Sequence, residues 1–279
     1  MKNKPDSYLH RNSSPRGGAL FWPTLKRVYA FSFFLNKRSK RSRLFALLCF
    51  FPILLSIFLR VHQTISADTS FDGLYLFTNA ILLFVFQFLV LILALFYGSA
   101  VCSEDLEAGT WPYLVTRPLP RPAIVIGKYL ASLTLMALMS AVGVITSFII
   151  LNLERWAELS LYIVLLKDLG VLVLGLMAYA SFFAFLGAVV RRSVFFGLIF
   201  SFGWENVIQY FPGSTQRFAI IHYLKSLLPL PSTSRFSFLT FRLEPTKPFL
   251  AVIALLIITA AFLALACLVF IFKEPRAED

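Results

Sequence analysis

Five uncharged apolar runs, at 44–59, 73–103, 129–153, 169–190 and 248–272, limit what this chain can fold into. A helix needs about 20 mainly apolar residues to cross a hydrocarbon layer about 30 Å thick, at about 1.5 Å per residue. The first run is short, but Val61 extends it and Arg60 can snorkel from its end. Pro52 inside it predicts a kink of the kind membrane helices tolerate. A sixth run, SVFFGLIFSFGWENVIQYFPGST from Ser193, is long enough only if Glu205 is accepted within or near the bilayer. The composition agrees: 58% of the residues are hydrophobic and 14% charged, against about a quarter charged in a soluble domain. Most of the chain must use lipid as its solvent. The expected fold is an all-α polytopic membrane protein with six transmembrane helices, at about 44–61, 74–101, 129–153, 169–190, 193–211 and 249–272.

Orientation follows from the basic residues around short connections. Lys26, Arg27, Lys37, Arg38, Lys40, Arg41 and Arg43 precede the first span, whereas the loop after it carries Arg60 beside Asp68 and Asp72. Arg117, Arg121 and Lys128 follow the second span. Arg155 and Lys167, balanced by three acids, are assigned to the loop after the third, and the pair Arg191–Arg192 follows the fourth. This alternation places both termini in the cytoplasm. The net charge of +12 comes with no nucleic-acid recognition motif, so the basic cluster reads as a cytoplasmic membrane flank and nucleic acid is not an expected partner. Residues 1–19 form a polar tail without an apolar segment ending in a small-residue cleavage site, so the first span is expected to direct insertion. Cys49, Cys102 and Cys267 are far apart and read as small apolar residues without a redox role.

Two segments look interfacial. Residues 20–43 open with LFWPTLKRVYAFSFFLN, a mixture of aromatic and basic residues typical of helices lying along a membrane surface. Within the outer segment 212–248, FAIIHYLKSLLPLP sets Phe218, Ile221, Leu224 and Leu228 at helical spacing. That helix either lies on the outer surface or forms a re-entrant hairpin. Residues 273–279 are a cytoplasmic tail.

No catalytic motif accompanies this architecture. The string nearest to a phosphate-binding loop, GAVVRRS, lacks the second glycine and the lysine, and HExxH and GxSxG are absent. His10, His62 and His222 are too scattered for a metal site. The chain is therefore not expected to be an enzyme or to bind a cofactor, and energy for any work must come from a partner.

The most informative stretch is CSEDLEAGTWPYLVTRPLPRPAIVIGKYL, between the second and third spans. Ser103 reads as the N-cap of a short helix, with Glu104, Asp105 and Glu107 at the positive end of its dipole. Gly109 breaks the turn, RPLPRP forbids a long helix, and IVIGK restarts an apolar one. The result is a stiff, acid-led elbow facing the cytoplasm. This string resembles the signature of the ABC-2 type transporter permeases, in which E-x-x-x-G-T is followed by a leucine, a proline, an arginine and a terminal Gly-Lys. The corresponding positions are Glu107 or Glu104, neither at the pattern's spacing from the glycine, with Gly109, Thr110, Leu114, Pro118, Arg121, Gly127 and Lys128, while Trp111 and Pro112 depart from the usual aliphatic residues. The resemblance covers nearly the whole chain. It implies that loop 102–128 carries a coupling helix docking into a separately encoded ATPase subunit, which binds ATP and Mg. It also implies a second permease copy, identical or a paralogue, export rather than import, and a bacterial cytoplasmic membrane.

Glu205 is the second candidate. A carboxylate inside a span costs about 2.5–3.5 kcal/mol on insertion scales and is a functional candidate by default. The competing reading is structural: pairing with Arg217, or hydrogen bonding to Trp204 or nearby backbone. Asn79 and Gln87 could face a substrate path or bond between helices. Gly170, Gly175, Ala178 and Ala180 suit close helix packing. The reading chosen is the transmembrane subunit of an ABC transporter. The rivals are a membrane scaffold or assembly factor that moves no solute, and an intramembrane enzyme, which the lack of paired acids or histidines within the spans disfavours.

Overall fold

The computed structural model describes residues 17–66, 73–107, 120–155, 158–190, 192–208, 219–228 and 247–272, and among them there is no strand. The helices are α1 (Gly17–Arg38), α2 (Lys40–Cys49), α3 (Phe51–Ser66), α4 (73–107), α5 (Arg121–Leu151), α6 (Leu159–Val189), α7 (Ser193–Trp204), α8 (Ile220–Leu227) and α9 (Pro248–Phe272). Five stretches are long and apolar enough to cross a membrane: α2 with α3 as Lys40–Ile65, then α4, α5, α6 and α9. α7 is shorter and ends in one further turn, Glu205–Val207.

The helices outrun the apolar runs, and this corrects several boundaries. α5 starts at Arg121 rather than 129 because Pro122, in its first turn, forfeits no hydrogen bond there. α6 starts at Leu159 rather than 169, so Lys167 and Asp168 lie within the helix and not in the preceding loop. Ser103 is not an N-cap: the α-helical part of α4 runs unbroken from Val90 to Glu107. The acids at 104, 105 and 107 therefore sit at a helix C-terminus, where the dipole opposes them. A helix already propagating out of the bilayer needs no new nucleus, so it continues through residues that would otherwise start one. Residues 17–19 belong to α1 rather than to the polar tail. The hydrogen-bond ladder breaks at Phe50, whose N–H bonds to Leu47 O at 3.0 Å, two residues before the proline that removes a donor.

α4 and α6 form the centre. More than half of each is buried (61% and 56% of their most apolar stretches), against 22% for α2–α3 and for α9. They run parallel in backbone contact: a Cβ on Gly98 would lie 2.8 Å from Ala180 O, and one on Gly187 would strike Ser99 O. α5 and α9 pack beside α6. Gly73 abuts Leu151 at one end of the bundle, and Arg121 meets Ile271 at the other. α1 lies across the first turns of α5, where Val28 and the Leu25 carbonyl close on Gly127, Tyr29 Oη donates to Thr134 Oγ1 at 3.3 Å, and Asn36 Nδ2 to Ser132 Oγ at 3.2 Å. α8 is tucked among α4, α6 and α9, with Leu224 beside Gly175 midway along α6. Two stretches of α4, Phe77–Leu82 and Val85–Leu89, are π-helical, as is Phe200–Trp204 of α7.

Candidate functional site

At the basic end of the bundle, both ends of the chain around residues 108–119 are tied to other helices. Glu104, near the end of α4, receives Arg41 of α2: Nη1 to Oε1 is 2.7 Å. Glu104 is more than half exposed, which limits the pair to about 1 kcal/mol or less. Arg41 also lies over the Tyr97 ring, its guanidinium carbon 5.3 Å from the centroid. Tyr97 is fully buried, and its hydroxyl shares a 2.6 Å hydrogen bond with Ser42. Ser42 in turn bonds to the Asn36 carbonyl, and Ser39 caps α2 by accepting from the Ser42 N–H at 3.1 Å. The elbow between α1 and α2 is thus pinned to α4 by side chains that are small, polar and hydrogen-bonded.

Across the bundle, Arg121 opens α5 and donates from Nη1 to Ile271 O at 2.7 Å. Ile271 is in the last turn of α9, where carbonyls lack intrahelical partners and the dipole favours a cation. Arg121→Gln is expected to cost about 1 kcal/mol and to raise amide hydrogen exchange in the last turn of α9 severalfold, with little change in α5.

The other sequence candidates divide clearly. Gly127 is buried against α1 and Lys128 is half-buried on the next position of α5. Asp105 and Glu107 are on the helix that ends at 107, with side chains outside the description. Gly109, Thr110, Leu114 and Pro118 lie outside the described residues, as do Trp111, Pro112, Arg217 and Phe218.

Glu205 is 1% exposed. Its two carboxylate oxygens accept from the first two N–H groups of α8: Ile220 N to Oε1 at 3.1 Å and Ile221 N to Oε2 at 3.4 Å. The acid therefore caps α8 from fifteen residues upstream, and it matches the backbone alternative of the sequence reading. The Asn79 amide turns back on its own helix, donating to Tyr75 O at 2.9 Å. Gln87 lines a crevice between α4 and α7 with Phe88, Leu91, Leu95, Ser201 and Phe202. Gln87 and Phe88 on one wall and Ser201 and Phe202 on the other lie in π-helical stretches, a geometry that recurs at functional sites.

One buried acid escaped the sequence reading. Asp168 is 1% exposed, and neither carboxylate oxygen has a hydrogen-bond partner among the described residues. An unpaired carboxylate in apolar surroundings is held at a free-energy cost. The available clue was its place between buried Leu165 and Leu172, which only a helix starting before 168 would expose. Among the described residues, no three His, Cys, Asp or Glu side chains come together to hold a metal ion.

A family model for ABC-2 family transporter proteins matches residues 29–274, from within α1 to just past α9. The chain belongs to that family. No curated protein matches it. For an ABC-2 permease, the braced loop between α4 and α5 and the buried acid between α7 and α8 become the two places to look for function. The family component is a transmembrane one, and its members associate with an ABC ATPase.

Proposed function

We propose that the chain is the transmembrane subunit of an ABC transporter that exports its substrate across a bacterial cytoplasmic membrane. A separate ATPase subunit supplies the nucleotide site, with ATP and Mg, and a second permease copy, identical or a paralogue, completes the translocation unit. The chain crosses the membrane six times with both termini in the cytoplasm. α7, Glu205 and re-entrant α8 together supply the fifth crossing, and the end carrying Arg41, Glu104 and Arg121 faces the ATPase.

The observation that carries this reading is the bracing of both ends of the loop. A displacement applied to residues 108–119 pulls on Arg41 through Glu104, and on the end of α9 through Arg121. Force applied at one place thus reaches α2, α4, α5 and α9 together. A loop that merely joined two spans would need no such ties. The family membership supports the same conclusion, and the basic residues concentrated at this end support its cytoplasmic orientation.

The test is to co-purify the chain with the ATPase encoded beside it and to measure ATP hydrolysis. Glu107→Arg reverses a charge in the docking stretch, and is expected to lower ATPase recovery or membrane-stimulated turnover at least tenfold, a loss of about 1.4 kcal/mol or more. No complex with any ATPase, or hydrolysis indifferent to the substitution, would count against the transporter.

A further inference from the structure

The first span carries a feature that neither coupling nor translocation uses. Lys40, Leu44, Leu47, Phe51, Leu54 and Phe58 recur at alternating steps of four and three, which puts them on one face of α2 and α3. All six are exposed, Leu47 by 73%. They lie opposite the face that buries Ser42, Phe45 and Cys49 against the bundle. Arg43 stands beside Lys40 at the head of the stripe, also exposed. At the end of α1, Lys37 and Arg38 add two exposed cations, with Arg38 held over the Phe34 ring at 5.8 Å. Among the described residues, none of these four cations has an ion-pair partner; the one acid paired nearby, Glu104, is taken by Arg41.

A long apolar ridge headed by bare cations has the shape of one lipid: an acyl chain below and an anionic headgroup above. We infer that the elbow between α1 and α2 binds an anionic phospholipid, its phosphate held by Lys40 and Arg43 with Lys37 and Arg38 at the rim, its chain lying along Leu44, Leu47 and Phe51. Juxtamembrane cations attract anionic headgroups by about 1 kcal/mol each. The other occupant to consider is a second copy of the chain. A two-fold axis along the membrane normal would set residues of equal depth face to face, bringing Lys40 and Arg43 against their own images. Like charges so placed repel, so the cations favour lipid over self-association at this ridge. The Arg41–Glu104 pair is one residue from Lys40 in the chain, so a lipid held there also stiffens the elbow that α4 leans on.

The experiment uses the full chain without any ATPase, so its outcome is independent of the transporter reading. Protein in mixed micelles of equal phosphatidylglycerol and phosphatidylcholine is repurified, and the retained lipid is quantified by mass spectrometry. Wild type is expected to retain phosphatidylglycerol severalfold over phosphatidylcholine, and less so in high salt. Lys40→Gln with Arg43→Gln should reduce that preference roughly tenfold, while Arg192→Gln, an exposed cation elsewhere, leaves it unchanged. Glycerol phosphate at matching concentration should not displace the lipid, because it has no chain to fill the ridge. Equal retention of both lipids by wild type, or an unchanged preference in the double variant, overturns the inference. So does loss of a dimer on size exclusion with lipid retention intact, which would assign the ridge to a second copy. If the double variant does not fold, the salt and glycerol phosphate arms on wild type decide the matter.

Discussion

Gly187→Val is expected to leave almost no folded protein. A Cβ at 187 would strike the Ser99 carbonyl oxygen and lie 3.1 Å from Ser99 Cα and carbonyl carbon. These are backbone atoms, which no rotamer change can move away. α4 and α6 would have to separate along the contact that forms the centre of the bundle. Overpacking a core with yielding side chains costs about 1–3 kcal/mol, and forcing two backbones apart should exceed that range. Thermal unfolding followed by size exclusion should show a collapse in monodisperse yield. Gly170 on the same helix is the control: a Cβ there meets nothing within 4 Å, so Gly170→Ala should be neutral or stabilise by about 0.5–1 kcal/mol through helix propensity. A Gly187→Val protein as stable as wild type would show that α4 and α6 do not make this contact.

The second large effect is expected at Glu205. Glu205→Ala removes both acceptors from the buried Ile220 and Ile221 amides. Loss of a charged cap that leaves buried donors unpaired costs about 2–3 kcal/mol. Hydrogen exchange at those two amides should then rise at least thirtyfold, with α8 loosening from Gly175 and folded yield falling. Glu205→Gln keeps one carbonyl acceptor and turns an NH2 towards a donor, so it should fall between the two. Transport decides whether the carboxylate does more. Normal yield with lost transport in Glu205→Gln would assign it to the substrate, whereas lowered yield with normal transport per folded molecule would leave it structural.

The large features were legible because lipid imposes a simple rule on sequence. A run such as 248–272 has one physical use, and the helices fall where the apolar runs predict. Their ends were harder to read, since a run of apolar residues measures hydrocarbon while a helix stops where its hydrogen bonds stop. Hence Asp168 looked like a loop acid and is buried in α6, and Ser103 looked like a cap and lies inside a helix. Partners that are backbone atoms leave no mark in a sequence. Arg121 bonds a carbonyl 150 residues downstream, and Glu205 bonds amides in the next helix. Nor does sequence report the rotation of a helix about its axis. Among small residues on the fourth span, Gly175 and Ala180 do face neighbours as expected, Gly170 faces none, and Gly187 makes the contact that matters most.

The π-helical turns of α4 and α7 bear on motion as well as shape. Each holds about one residue more per turn than an α-helix. Absorbing that residue would turn everything beyond it by about 100° and shift it about 1.5 Å. In α4 two such turns lie between the Gly73 end and the end braced by Arg41. A pull at the braced end therefore need not drag the whole span: the helix can take it up as a screw does, exchanging a small axial step for a large rotation of Phe86, Gln87 and Phe88 opposite Phe202.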